Sequence, residues 1–297
     1  MLRAAIEALR PKQWLKNSFV FAPLLFGKAF LNPPKVLAAL LAFALFSAMA
    51  SAVYILNDLL DAPRDRQHPT KKNRPIASGR LNARVATILG AVLAATALGV
   101  AFWRMPDFAA LLLVYALINV GYSLGLKHVV ILDIFAIAVG FVLRVFGGAL
   151  AIDVEPSRWL LTCTIFLSLF LAACKRRGEL TLVGDSAATR EVLRSYSVGY
   201  VDQITNLFAT GTILTYALYT LDPVTIAKLG TRDLIFTLPF VIYGVLRYMH
   251  IVQHKGQGGS PTEALLKDRT ILATVVGYVA LVAWLLLRFG GTGPTPP

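Results

Sequence analysis

The feature that most constrains this chain is recurrence. Apolar stretches, each long enough or nearly long enough to cross about 30 Å of hydrocarbon at about 1.5 Å per residue, follow one another from end to end. Nine are read, at 17–32, 35–56, 85–103, 108–124, 129–151, 158–174, 201–221, 234–251 and 271–289, the first interrupted by Pro23 and Gly27. Composition agrees: 57% of residues are hydrophobic and 15% charged, against about 45–50% and about 25% in soluble domains. The expected fold is all-α, a polytopic membrane bundle of about nine transmembrane helices forming one domain over 1–297. Met1 to Lys16 is basic and amphipathic rather than a short apolar core with a cleavage site, so the first span is expected to stay. Cys163 and Cys174 fall in the sixth span, where thiols behave as small core hydrophobes; neither a disulfide nor a metal site is read there.

The formal net charge is +13, and its distribution explains it. With the N-terminus inside, cytoplasmic segments hold 20 of the 29 Lys and Arg and external segments hold seven. The positive-inside rule then gives a cytoplasmic N-terminus and an external C-terminus. The charge follows topology, which argues against a nucleic-acid partner. Arg144 and Arg247 remain inside spans. An arginine at membrane depth costs from about 2.5 kcal/mol upward, so both are candidate anion ligands or members of buried charge pairs.

The stretch that carries most chemistry follows the second span. Asn57, Asp61 and Asp65 are spaced i, i+4, i+8, with Asp58 three and seven residues before the latter two; on a continuing helix all four share one face. Carboxylates on one stripe repel unless a cation joins them. Oxygen donors with no Cys or His nearby favour a hard ion, and Mg²⁺ commonly bridges carboxylates to substrate phosphates. Asn57, Asp58, Asp61 and Asp65 are therefore the expected Mg²⁺ ligands, the three aspartates the expected catalytic residues, and the stretch a diphosphate site. Arg64, Arg66, His68, Lys71, Lys72 and Arg74 follow at once; Lys71 and Arg74, near Pro69 and Pro75, are the expected phosphate ligands among them.

These residues, with nine spans and Arg10-Pro11-x-x-Trp14-x-Lys16-Asn17 ahead of the first, resemble the UbiA superfamily of intramembrane prenyltransferases. The resemblance covers essentially the whole chain. It implies two pseudo-equivalent groups of helices around a central cavity capped on the cytoplasmic side, in the bacterial inner membrane. One departure is plain. Superfamily members carry a second Asp-rich motif near the cytoplasmic end of the sixth span, whereas this chain has Lys175-Arg176-Arg177-Gly178-Glu179-Leu180. Three cations and one carboxylate make a poor second Mg²⁺ site and a good metal-free phosphate site.

Asn57 to Gly79, Tyr122 to His128, Asp133 to Arg144, Lys175 to Leu180 and Ser260 to Arg269 resemble the decaprenyl-phosphate phosphoribosyltransferase branch of that superfamily. The resemblance implies Mg²⁺-dependent transfer of phosphoribose from phosphoribosyl pyrophosphate to a polyprenyl phosphate, for cell-wall arabinan synthesis. It implies donor-site roles for Tyr122 and Lys127, and phosphate roles for Lys16, Lys175 and Arg176, with Glu179 beside them. Asp133 and Arg144, about three helical turns apart, project from nearly the same face and are expected to line one cavity. Asp133 would bind a ribose hydroxyl, orient a basic side chain or join the metal shell. Gly140, Gly147 and Gly148 are read as helix-packing positions. Glu263, Lys267 and Asp268 read first as a helical pair and a cap. A homo-oligomer stays open.

Two other functions fit parts of the pattern. A conventional prenyltransferase, moving an isoprenoid from its diphosphate to an aromatic acceptor, would use the first acidic motif but lacks the second. A transporter would use intramembrane charge, yet its site belongs near the midplane, and these aspartates lie at one membrane face.

Overall fold

The computed structural model describes residues 1–68, 70–183, 191–254 and 261–289; Pro69 and the side chain of Glu263 fall outside them. Among the described residues the chain is helical. In order come α1 (Leu2–Leu9), a 3₁₀ helix (Pro11–Phe21), α2 (Ala22–Phe26), α3 (Pro33–Asp65), α4 (Ala83–Arg104), α5 (Pro106–Leu124), α6 (Leu132–Ala151), α7 (Arg158–Val183), α8 (Glu191–Arg194), α9 (Val198–Leu221), α10 (Pro223–Leu229), α11 (Leu238–His254), α12 (Pro261–Lys267) and α13 (Arg269–Phe289). Seven of these segments, α3 to α7, α11 with its lead-in from Asp233, and α13, are long and apolar enough to cross a membrane. The expected seventh span is α9, long enough but rich in threonine, with Thr205, Thr212, Thr215 and Thr220 buried against its neighbours.

The expected first span is not one helix. Pro11 to Phe21 runs as a 3₁₀ helix eleven residues long, where runs beyond three or four residues are uncommon. Side chains three apart eclipse in this geometry, and the segment uses that period. Trp14 donates to Ser51 Oγ at 3.0 Å and Asn17 Nδ2 to Ser47 Oγ at 3.0 Å, both on α3. Val20, next on the same face, packs so closely on α6 that a Cβ at Gly148 would collide with its carbonyl. Tertiary anchors at every third residue hold a conformation that local propensity alone would not.

Two groups of helices result. Phe46, Met49, Phe108, Leu112 and Tyr115 centre the α3–α5 group; Phe170, Ala209, Tyr248 and Ile251 centre the group of α7, α9 and α11. α6 joins them, packing on α5 and α7 and on the 3₁₀ helix. α3 continues past the apolar stretch, through Pro63, to Asp65. Its carboxylates therefore emerge at the same face as the 126–131 turn, the end of α7 and the N-terminal segment.

Candidate active site

At that face a cavity of about 830 Å³ opens, lined by nine Lys or Arg and four Asp or Glu. Its walls come from four places. The N-terminal segment gives Arg10, Gln13 and Lys16; the end of α3 and its loop give Asn57, Asp61, Asp65, His68, Lys71 and Arg74. The end of α5 and the turn after it give Asn119, Tyr122 and Lys127, and α7 gives Lys175 and Glu179. Ten of the fifteen residues singled out from sequence thus meet around one space.

Each aspartate of the α3 stripe is engaged by a cation. Asp58 accepts from Arg10 at 2.5 Å and Arg74 at 3.0 Å, Asp65 accepts from Arg74 at 2.6 Å, and Asp61 accepts from Lys127 at 2.8 Å. Asp58 is buried and does not line the cavity, whereas Asn57, Asp61 and Asp65 do. Among the described residues no three carboxylates or imidazoles converge on one point. The donor set still suits Mg²⁺, which takes one or two carboxylates and completes its shell with water and substrate phosphates. Arg10, Arg74 and Lys127 neutralise the stripe. His68 lies just beyond; burial, then Lys71, pull its imidazole below the usual histidine range, and its Nδ1 accepts from the amides of Thr70 and Lys71.

Five residues lie apart from the wall. Arg144 is buried beneath it, its guanidinium donating to Asn17 Oδ1 at 2.7 Å, the Gly140 carbonyl at 2.6 Å and the Tyr115 hydroxyl at 2.9 Å. Spacing placed Asp133 and Arg144 on one face of α6 correctly, but both are spent on protein partners. Asp133 and the fully buried Arg176 pair with each other, and Arg176 also holds Glu179 and Tyr122. Arg247 lies outside the cavity and pairs with Asp268 at 2.9 Å. Asp268 in turn accepts from the amides of Thr270 and Ile271, capping α13. Asp58 completes the five.

Sequence reasoning passed over Arg10 as a partner of Asp58, and Gln13 and Asn119 as wall residues. The signal for the first two lay in the three-residue period of the segment. Gln13, Lys16, Phe19 and Ala22 share its second face. The upper pair lines the polar cavity, and the lower pair, with Phe26, lines a separate apolar cavity of about 250 Å³ walled by Cys163, Leu167, Tyr216, Tyr219 and Tyr278 among others. Lys16 has no ion pair or hydrogen bond among the described residues.

The comparisons with known proteins agree with this architecture. The chain is 36% identical over 280 residues to the decaprenyl-phosphate phosphoribosyltransferase of Corynebacterium glutamicum, covering 92% of this chain and 84% of that one. The enzyme of the same name from Mycobacterium tuberculosis is 34% identical over 287 residues, covering 95% and 94%. In fold the chain is similar to a UbiA homologue from Archaeoglobus fulgidus bound to GPP and Mg²⁺, with a TM-score of 0.70 over 95% of this chain and 99% of that one at 20% identity. Residues 18–265 match the model of the UbiA prenyltransferase family, and with relatives this similar along most of their length, the chain belongs to that family.

Proposed function

We propose that this protein transfers 5-phosphoribose from phosphoribosyl pyrophosphate to a polyprenyl phosphate of the decaprenyl type, releasing pyrophosphate at the cytoplasmic face of a bacterial inner membrane. The observation that carries the reading is the make-up of the cavity. The α3 part of the wall bears the oxygen donors Asn57, Asp61 and Asp65, and the α7 part bears Lys175 and a single carboxylate, Glu179. A site for one metal-bound diphosphate beside metal-free phosphate matches a pyrophosphorylated donor and a monophosphate acceptor. The relatives named decaprenyl-phosphate phosphoribosyltransferases support it, and the product would serve as a precursor for cell-wall arabinan.

The reaction is a displacement at ribose C1. A phosphate oxygen of the lipid forms the new bond to C1, and the bond from C1 to pyrophosphate breaks with its electron pair leaving on the pyrophosphate. Mg²⁺ bound at Asn57, Asp61 and Asp65, with Asp58 behind them, would supply neutralisation of the leaving group. Lys71, Arg74 and Lys127 add fixed positive charge on the same side. A phosphate monoester is already anionic near neutral pH, so the attack needs no general base. Lys16 and Lys175 draw the second anion in against the repulsion of the first. Arg144 and Arg176 act from beneath, holding Asn17 and Glu179.

The 3₁₀ helix supports the choice of an amphiphilic acceptor. Lys16 and Phe19 are one turn apart, roughly 6 Å at about 2.0 Å per residue, and stand in polar and apolar cavities respectively. A phosphate at Lys16 leads its prenyl chain directly past Phe19 and Ala22. The test offers purified protein polyprenyl phosphate with phosphoribosyl pyrophosphate, and separately polyprenyl diphosphate with 4-hydroxybenzoate. Lipid-linked phosphoribose plus pyrophosphate, lost on chelation, is the expected product; a prenylated aromatic instead would overturn the reading.

A further inference from the structure

Ile131, the residue that caps the start of α6, has φ 71° and ψ −46°. This is near the γ-turn region with positive φ, which is rare and strained, and for a β-branched residue it is an outlier. Its amide donates to the Tyr196 hydroxyl at 2.6 Å, and that hydroxyl donates onward to Asp133 Oδ1 at 2.7 Å. Tyr196 lies between α8 and α9 and is buried. The other oxygen of Asp133 accepts from Arg176, whose remaining nitrogens hold Glu179 and the Tyr122 hydroxyl, both on the cavity wall. The Ile131 carbonyl accepts from the amides of Ile134 and Phe135, so the same bend starts α6 and fixes where Asp133 points. Three residues upstream, the turn Leu126–His128 carries Lys127 to Asp61.

We propose that Tyr196 is a positioning residue for the diphosphate site. Its hydroxyl holds the strained Ile131 turn and the Asp133 carboxylate in register. Through Arg176 it sets Glu179 and Tyr122, and through the turn it sets Lys127, against the bound anion. Tyr196 does not itself line the cavity. Backbone strain persists only where its surroundings over-determine it, so the loss of one hydroxyl would let this turn relax and move the wall. The proposal rests on the cavity being a diphosphate site, and is independent of which diphosphate enters.

The test measures binding of Mg²⁺ with inorganic pyrophosphate to the purified full-length protein in detergent, with melting temperature recorded on the same samples. Tyr196→Phe is expected to bind about tenfold more weakly, the usual scale for removing a group that orients a ligand-binding side chain. Glycine adopts positive φ without strain. Placed on Tyr196→Phe, Ile131→Gly should therefore return much of the lost affinity. Tyr200→Phe, whose ring stacks on Tyr196 but is exposed, should change nothing. Wild-type affinity in Tyr196→Phe, or a double variant no better than Tyr196→Phe, would overturn the proposal. If Tyr196→Phe fails to fold, the double variant decides: folding with restored binding supports the strain account, and failure to fold assigns Tyr196 to packing alone. A wild type that binds no pyrophosphate removes the diphosphate reading and this proposal together, whereas binding indifferent to Tyr196 removes the proposal only.

Discussion

The ends of α3 and α7 meet at the same cavity, and they are built in opposite ways. The α3 end presents Asn57, Asp58, Asp61 and Asp65 and borrows its cations, Arg10, Arg74 and Lys127, from other segments. The α7 end supplies its own cations, and its one cavity carboxylate, Glu179, is tied to Arg176 of the same helix. One end is acidic and neutralised from outside; the other is basic, with Arg176 and Arg177 also paired to Asp133 and Asp202 of neighbouring helices. The difference teaches that one fold can set an acidic helix end and a basic helix end against the same cavity.

Asp61→Asn should break the comparison most severely. Removing the carboxylate that faces the cavity is expected to cost about 10²–10³-fold or more in kcat, measured with Mg²⁺ on folded, monodisperse protein; full activity would dissolve the distinction between the two ends. Arg144→Ala comes next. It strips Asn17, Gly140 and Tyr115 of a buried donor, at about 1–3 kcal/mol for a group left unsatisfied. Melting temperature should fall and substrate use weaken, because the 3₁₀ helix loses its hydrogen bond from Arg144 on α6 while topology stays the same. An unchanged melting temperature and kcat/KM would remove Arg144 from the account.

Lys175→Ala probes the basic end. It should raise the KM for the lipid acceptor by about tenfold, the scale of one charge-assisted contact, and leave the Mg²⁺ requirement intact. A shift in Mg²⁺ requirement instead would mean that the α7 end also serves the metal. Arg247→Ala should have the smallest effect. Its side chain sits outside the cavity on Asp268, and kcat/KM should stay at the wild-type value.

Much of this was legible in the sequence because its causes are local. Apolar length gives spans, and i, i+4 spacing gives a carboxylate stripe that survives as α3 runs on to Asp65. What escaped depends on distant partners. Spacing aligned Asp133 with Arg144, but that each is satisfied within the protein rests on Asn17, Tyr115, Arg176 and Tyr196, which come from elsewhere in the chain. The 3₁₀ run of eleven residues that leads into the interrupted first span has no local signal, because it is held by Ser47, Ser51 and Gly148, none of them near in sequence. Threonine lowered the apolar signal of α9, yet its length and helical form match the expected span.

The most direct measurement is the Mg²⁺ dependence of phosphoribosyl pyrophosphate binding in the wild type, Asp61→Asn and Lys175→Ala, compared on the same preparation. Asp61→Asn is expected to lose the metal dependence and Lys175→Ala to keep it. If Asp61→Asn keeps the full metal dependence, or if Lys175→Ala abolishes it, the two ends do not divide their work between metal and bare phosphate, and the central claim fails.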